Sequence, residues 1–137
     1  MKTEDRISYI LNWMNKYCKT IQYQPVTLVI GVSGGVDSAV ASTLSAKTGL
    51  NTLAVSMPIK QNKEQHSLSI KHLNWLKSNF DNVSTVVIGL DSIFSVFQNT
   101  MLDFKNDLAF ANSRSRLRMI TLYQIAQSKN GLVVGTG

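Results

Sequence analysis

Strand-like and helix-like segments alternate along these 137 residues in the way a three-layer α/β domain requires: a parallel sheet of at least four strands with helices on both faces. Two observations carry that expectation. The apolar run Val26–Val32 breaks at Ser33-Gly34-Gly35 and restarts as a small-residue helix from Val36 to about Lys47. Thr48-Gly49 then closes the helix, and a second short strand follows from Thr52 to Met57, ended by Pro58. Strand, helix and strand at this spacing form a right-handed parallel crossover.

The elements follow in order. Residues 4–19 carry Ile7, Ile10, Leu11, Met14 and Cys18 at three- and four-residue spacing, so they predict an amphipathic helix with Thr3 as its N-cap. Its apolar face is expected on the sheet edge or on a partner subunit. Thr20–Pro25 is a linker, with Pro25 opening the first strand. Residues 64–78 predict a helix bearing Leu68, Ile70, Leu73, Trp75 and Leu76. His66 and His72 are too far apart to share a helical face and have no acidic or cysteine partner, so they read as surface or packing residues. A third strand is expected over Ser84–Gly89, then a helix from an Asp91 N-cap to about Asp103, with Phe94 and Phe97 toward the core. Phe104–Ala111 reads as a connecting loop. Asn112 is the expected N-cap of a helix running to about Ser128, apolar on most sides after Leu117, and Leu132–Val134 is the fourth strand.

Composition narrows the class. The chain is 44% hydrophobic and 16% charged, proportions of a globular domain rather than a disordered one. No run reaches the roughly 18 apolar residues of a membrane span, and the charged N-terminus does not resemble a signal peptide. The single cysteine excludes an internal disulfide and a cysteine-cluster zinc site. A cytoplasmic protein is expected. The net charge of +6 suits a polyanionic partner, nucleotide or nucleic acid, although the basic residues are scattered apart from Arg114, Arg116 and Arg118.

The chemistry centres on Ser33–Ser38. A strand, a glycine turn and a helix N-terminus make an anion site: the glycines admit close backbone approach, and the first helical N–H groups are unpaired and at the positive end of the dipole. Neither GxxxxGK[ST] nor GxGxxG is present. The loop instead offers the Ser33 and Ser38 hydroxyls and the Asp37 carboxylate. A carboxylate beside a phosphate site repels the ligand unless a divalent cation intervenes, so Asp37 implies Mg²⁺. Cations in the first turns of the Asn112 helix would oppose its dipole and call for an anion. Arg116, one turn after Asn112, shares its face; Arg118 points elsewhere.

Ser33-Gly34-Gly35-Val36-Asp37-Ser38 resembles the SGGxDS pyrophosphate loop of the ATP pyrophosphatases, an adenine nucleotide α-hydrolase-like, Rossmann-like group. Asn112-x-x-Ser115-Arg116-x-Arg118-Met119 resembles the NxxARxRM segment of the NAD synthetases, with Ser115 for the usual Ala. Gly135-Thr136-Gly137 is similar to that family's Gly-Thr turn. The motifs also come in the family's order, from residue 26 onward. The resemblance implies a ligase that amidates deamido-NAD with ATP as co-substrate, Mg²⁺ as cofactor and free ammonia as nitrogen donor. ATP contacts are then expected at Gly31, Ser33, Gly34, Gly35, Asp37, Ser38, Ser56, Met57 and Thr136, with Asn62 nearby. Deamido-NAD contacts are expected at Asn112, Arg116 and Arg118, and the metal at Asp37. No side-chain nucleophile is required, because the substrate carboxylate is the nucleophile.

The resemblance further implies a homodimer with no membrane or nucleic-acid partner. With 25 residues before the first strand, no glutaminase domain is expected. The family's second acidic Mg²⁺ ligand, lysine-bearing loop and terminal substrate segments do not occur in these residues. The chain is therefore expected to be the N-terminal part of a longer, single-domain enzyme, inactive alone. Two alternatives keep the phosphate loop: a tRNA-modifying enzyme of lysidine synthase or thiolase type, its basic charge serving RNA phosphates, and a non-catalytic nucleotide-binding module. The thiolase route needs a reactive cysteine, and Cys18 lies upstream of the loop.

Overall fold

The computed structural model describes residues 1–60 and 63–136. Its elements are α1 (Thr3–Lys19), β1 (Thr27–Gly31), α2 (Val36–Lys47), β2 (Thr52–Ser56), α3 (Lys63–Asn79), β3 (Val83–Val87), α4 (Asp91–Thr100), a 3₁₀ turn (Leu102–Phe104), α5 (Asp107–Ser128) and β4 (Gly131–Val133). The four strands form one parallel sheet in the order β3-β2-β1-β4. The expected three-layer α/β fold is present.

Strand alternation sorts the side chains into two cores. Val29 and Val55 point to one face, where they meet Phe94 of α4 and Phe110, Leu122 and Ala126 of α5. Val32 and Ala54 point to the other, against Ala46 of α2 and Leu73 and Leu76 of α3. Met14 and Cys18 of α1 close a third cluster with Val26 and Leu28, so the apolar stripe of α1 packs on the sheet.

The chain runs β1-α2-β2-α3-β3 outward, then returns through α4 and α5 to place β4 on the far side of β1. The direction of strand progression thus reverses between β1 and β4. In open α/β sheets the crevice at such a reversal, outside the carboxyl ends of the strands, is where ligands bind.

Several boundaries differ from expectation, each for a local reason. The N-cap of α1 is Lys2, whose backbone N–H donates to Asp5 Oδ2 at 3.2 Å, so the acidic residue at the third helical position replaces the hydroxyl of Thr3. Asp91 is the first residue of α4 and Leu90 its cap. The largest correction concerns α5. Asn106, not Asn112, caps it, its Oδ1 accepting from Ala109 N at 2.9 Å. Much of the expected loop 104–111 is therefore helix, and Arg114, Arg116 and Arg118 fall in the middle of α5, where the dipole argument has no force. Nor is α5 buried on most sides after Leu117: Met119, Ile120 and Tyr123 are exposed.

Candidate nucleotide-binding site

At the carboxyl ends of β1, β2 and β4 lies a cleft of about 480 Å³. The loop after β1 contributes Gly31, Ser33 and Ser38, the loop after β2 Met57, Ile59 and Lys60, α3 Gln65, α5 Arg114, Arg118, Met119 and Leu122, and the chain after β4 Gly135 and Thr136.

The 33–38 loop is folded on its own hydroxyls. Ser38 Oγ accepts from Ser33 N at 3.1 Å and donates to Gly35 O at 3.2 Å; Ser33 Oγ lies 3.2 Å from Ser38 Oγ and accepts from Gly35 N at 3.2 Å. Gly34 has φ +95°, and a Cβ there would stand 2.5 Å from the carbonyl oxygen of Gln65. Only glycine satisfies both the left-handed backbone and this approach of α3. The α2 N-terminus follows at Val36, capped by Gly35 without a side-chain bond, so its leading N–H groups face the loop.

The opposite wall is cationic. Arg118, half-buried, donates from Nε to Met57 O at 3.0 Å. Burial, and then the adjacent Arg114 charge, push its guanidinium below the ordinary arginine range. Arg114 sits over the Phe94 ring, 5.4 Å from its centroid. Lys60, Arg114 and Arg118 all line the cleft, and among the described residues no carboxylate does. Cations gathered without a counter-charge, opposite a hydroxyl-rich loop and a helix N-terminus, form a site for a phosphorylated ligand. The remaining wall is apolar: Met57, Ile59, Met119 and Leu122. Phosphate chemistry at one end and a greasy slot at the other suit a nucleotide.

Of the residues expected at ATP, the cleft gathers Gly31, Ser33, Ser38, Met57 and Thr136, and Gly34 and Gly35 shape the loop beside them. Ser56 is not among the lining: its hydroxyl is buried and bonded to Ser69 Oγ of α3 at 3.0 Å. Arg118, expected at the dinucleotide, lines this cleft. Arg116 does not; it borders a separate groove of about 740 Å³ on the outer face of α5 with Ile120 and Tyr123, and its Nη1 donates to Asn112 O at 3.3 Å. Asn62 and Gly137 lie outside the described residues. Lys60, Gln65 and Arg114 were not named as site residues, although Lys60 and Gln65 lie in the turn-like stretch 58–65 after β2 and Arg114 is one of the three clustered arginines; tertiary folding brings them together at the crevice.

Asp37 is exposed in the first turn of α2, with no hydrogen bond among the described residues, and no group of three metal-ligating side chains occurs there. One free carboxylate beside a phosphate loop fits a hydrated Mg²⁺ completed by substrate oxygens, not a resident ion in a protein cage. Among the described residues no helix is long and apolar enough to cross a membrane.

Fold and site together define an α/β nucleotide-binding domain of the kind that seats phosphates at a strand-to-helix glycine loop. The sequence profile described as NAD synthase matches residues 6–137, and the chain belongs to that family. It is 35% identical over 134 residues to the NH(3)-dependent NAD(+) synthetase of Mycoplasmopsis pulmonis, covering 97% of this chain and 49% of the relative. The NH3-dependent NAD synthetase from Campylobacter jejuni, solved with a nitrate ion, superposes with a TM-score of 0.86 at 27% identity over 100% of this chain and 57% of that one. The NMN synthetase from Francisella tularensis gives 0.87 at 31% identity, over 100% and 55%. The chain spans about half the length of these relatives.

Proposed function

We propose that this chain forms the ATP-binding part of an ammonia-dependent NAD synthetase, a ligase that converts deamido-NAD to NAD. The observation that carries the reading is the meeting of the Ser33–Ser38 loop, Thr136 and Arg118 around one cleft in a chain of this family.

In the proposed reaction, a nicotinate carboxylate oxygen attacks the α-phosphorus of ATP, and the bond to the bridging oxygen breaks to release pyrophosphate. Ammonia then attacks the carbonyl of the mixed anhydride; AMP leaves with the C–O bonding pair, ammonia's surplus proton goes to solvent, and the amide remains. The protein's contribution is orientation and charge neutralisation. The 33–38 loop and the α2 N-terminus hold the pyrophosphate, Arg114 and Arg118 face the phosphate chain, and the apolar wall takes the base. Mg²⁺, held by Asp37 and substrate oxygens, would supply charge neutralisation on the leaving pyrophosphate. Asn112 and Arg116, on the outer face of α5, orient the dinucleotide.

A homodimer is part of the same proposal. The outer surfaces of α4 and α5 expose the apolar side chains of Ile93, Val96, Leu108, Ile120 and Tyr123, the kind of surface that a partner covers. A cytoplasmic location accords with soluble substrates. The family match gives the tRNA-modifying alternative no support.

The test follows AMP and NAD in the product of the gene carrying this sequence, with ATP, Mg²⁺, ammonium and deamido-NAD. Stoichiometric appearance of both, lost in Asp37→Ala and weakened in Arg116→Ala, supports the proposal. The mononucleotide acid is assayed alongside, because one structural neighbour is an NMN synthetase; its amidation in preference to deamido-NAD would move the substrate. AMP formed only with tRNA, or no AMP at all, would overturn the reading.

A further inference from the structure

The segment Met57–Lys60 brings Met57 and Ile59 to the apolar wall of the cleft, and hydrogen bonds tie it down at Met57, Pro58 and Lys60. Arg118 Nε donates to Met57 O at 3.0 Å, and Leu90 N donates to Pro58 O at 3.0 Å. The Lys60 N–H donates to Asp91 Oδ1, and the Lys60 ammonium to Gln98 Oε1, both across to α4. Lys60 has φ +46°, a left-handed conformation that an L-residue other than glycine or asparagine rarely takes without outside support. Asp91 does not line the cleft, yet its carboxylate is the acceptor at the strained residue.

We propose that Asp91 is a positioning residue for the nucleobase end of the cleft: by accepting from Lys60 N it holds Met57 and Ile59 in the arrangement that receives the base. The inference rests on the ATP reading above and assigns a role to a residue outside the lining. Without the Asp91 acceptor, Lys60 relaxes toward ordinary backbone angles, the binding-competent wall is populated for a smaller fraction of the time, and apparent affinity falls in proportion. The phosphate loop, built on α2 and β1, has no share in this tether. A ligand with a base should therefore feel the loss, and a ligand of phosphates alone should not.

The experiment titrates the product of the gene carrying this sequence with MgATP and, separately, with magnesium pyrophosphate by calorimetry or NMR. Asp91→Ala is expected to weaken ATP about fivefold, the scale of one lost hydrogen bond, and to leave pyrophosphate unchanged. Asp91→Asn keeps an oxygen acceptor and should retain wild-type ATP affinity. A carboxylate acting merely as a favourable charge at the α4 N-terminus would predict the opposite, with Asp91→Asn as impaired as Asp91→Ala in stability and ATP affinity unmoved in both. Unchanged ATP binding in Asp91→Ala, equal weakening of ATP and pyrophosphate, or an Asn variant as weak as Ala each overturns the proposal. A wild-type chain that takes up neither ligand overturns the nucleotide reading and this proposal with it.

Discussion

Arg118 and Met57 stand 61 positions apart in sequence, and the arginine Nε donates to the methionine carbonyl at 3.0 Å. That bond fastens α5 to the end of β2 and leaves the rest of the guanidinium facing the cleft. Its charge is only half solvated, and Arg114 repels it from the next turn of the same helix. An arriving phosphate relieves both costs.

Arg118→Ala should therefore weaken ATP by tenfold or more and lower stability by about 1.5–3 kcal/mol, the range for a hydrogen bond with a charged partner. Arg118→Lys restores the charge but not the planar fork, and should recover less than half of the lost binding free energy. Titration of both variants at two salt concentrations checks this. Wild-type affinity should fall with added salt, and the alanine variant's slope should be shallower.

The two adjacent glycines of the phosphate loop should separate in a stability assay. An alanine Cβ at position 34 meets the Gln65 carbonyl at 2.5 Å in a left-handed backbone, and neither partner is a flexible side chain. At position 35 the backbone is extended, and the nearest atom is Ser33 Oγ at an ordinary 3.4 Å. Gly34→Ala should lose more than about 1 kcal/mol, Gly35→Ala less than half of that. Denaturant unfolding of the two proteins gives the comparison.

What the sequence made legible and what it hid divides along local and tertiary lines. The helix Val36–Lys47 was readable because an apolar strand, a glycine turn and a Thr-Gly stop are local signals within some twenty residues. The start of α5 was not, because Asn106 and Asn112 offer the same capping chemistry and the stretch between them holds one exposed and one buried large apolar residue, Leu108 and Phe110, too few to set a period. Of the apolar run Met119–Tyr123 only Leu122 is in the core, while Ile120 and Tyr123 face outward: a hydrophobic pattern does not distinguish a core from a surface awaiting a partner. Ser56 was read at the site because it ends a strand; its direction is set by the pleat and by Ser69 across the way. Lys60, in the turn-like stretch after β2, and Arg114, one of the three clustered arginines, meet at the cleft only through folding.

Asp37 should behave as a residue with no structural duty. It is exposed and makes no hydrogen bond among the described residues, so Asp37→Ala should change stability by less than about 0.5–1 kcal/mol, the limit of a carboxylate's interaction with the α2 dipole. The same variant should lose the enhancement of ATP binding by Mg²⁺. Thermal unfolding and paired titrations with and without Mg²⁺ check the two halves independently.

His72 gives the fold a pH dependence away from the cleft. Its Nε2 lies 2.9 Å from Ser42 Oγ, a hydroxyl fully buried in α2, and its ring stacks on Trp75 at 5.6 Å. Burial lowers its pKa below 6.5, opposed in part by the Ala39 backbone carbonyl, which accepts from the ring. The folded state thus binds fewer protons than the unfolded chain once pH drops toward 6.5, and the unfolding free energy must fall as pH falls. The stabilisation from the neutral ring is complete above the unfolded pKa and is lost as pH descends through it toward the folded value. Melting temperature should therefore decline between about pH 7.5 and pH 5.5. His72→Gln, which keeps a hydrogen-bonding group for Ser42 but cannot titrate, should flatten the decline in that window. An equal slope in both proteins would remove His72 from the account.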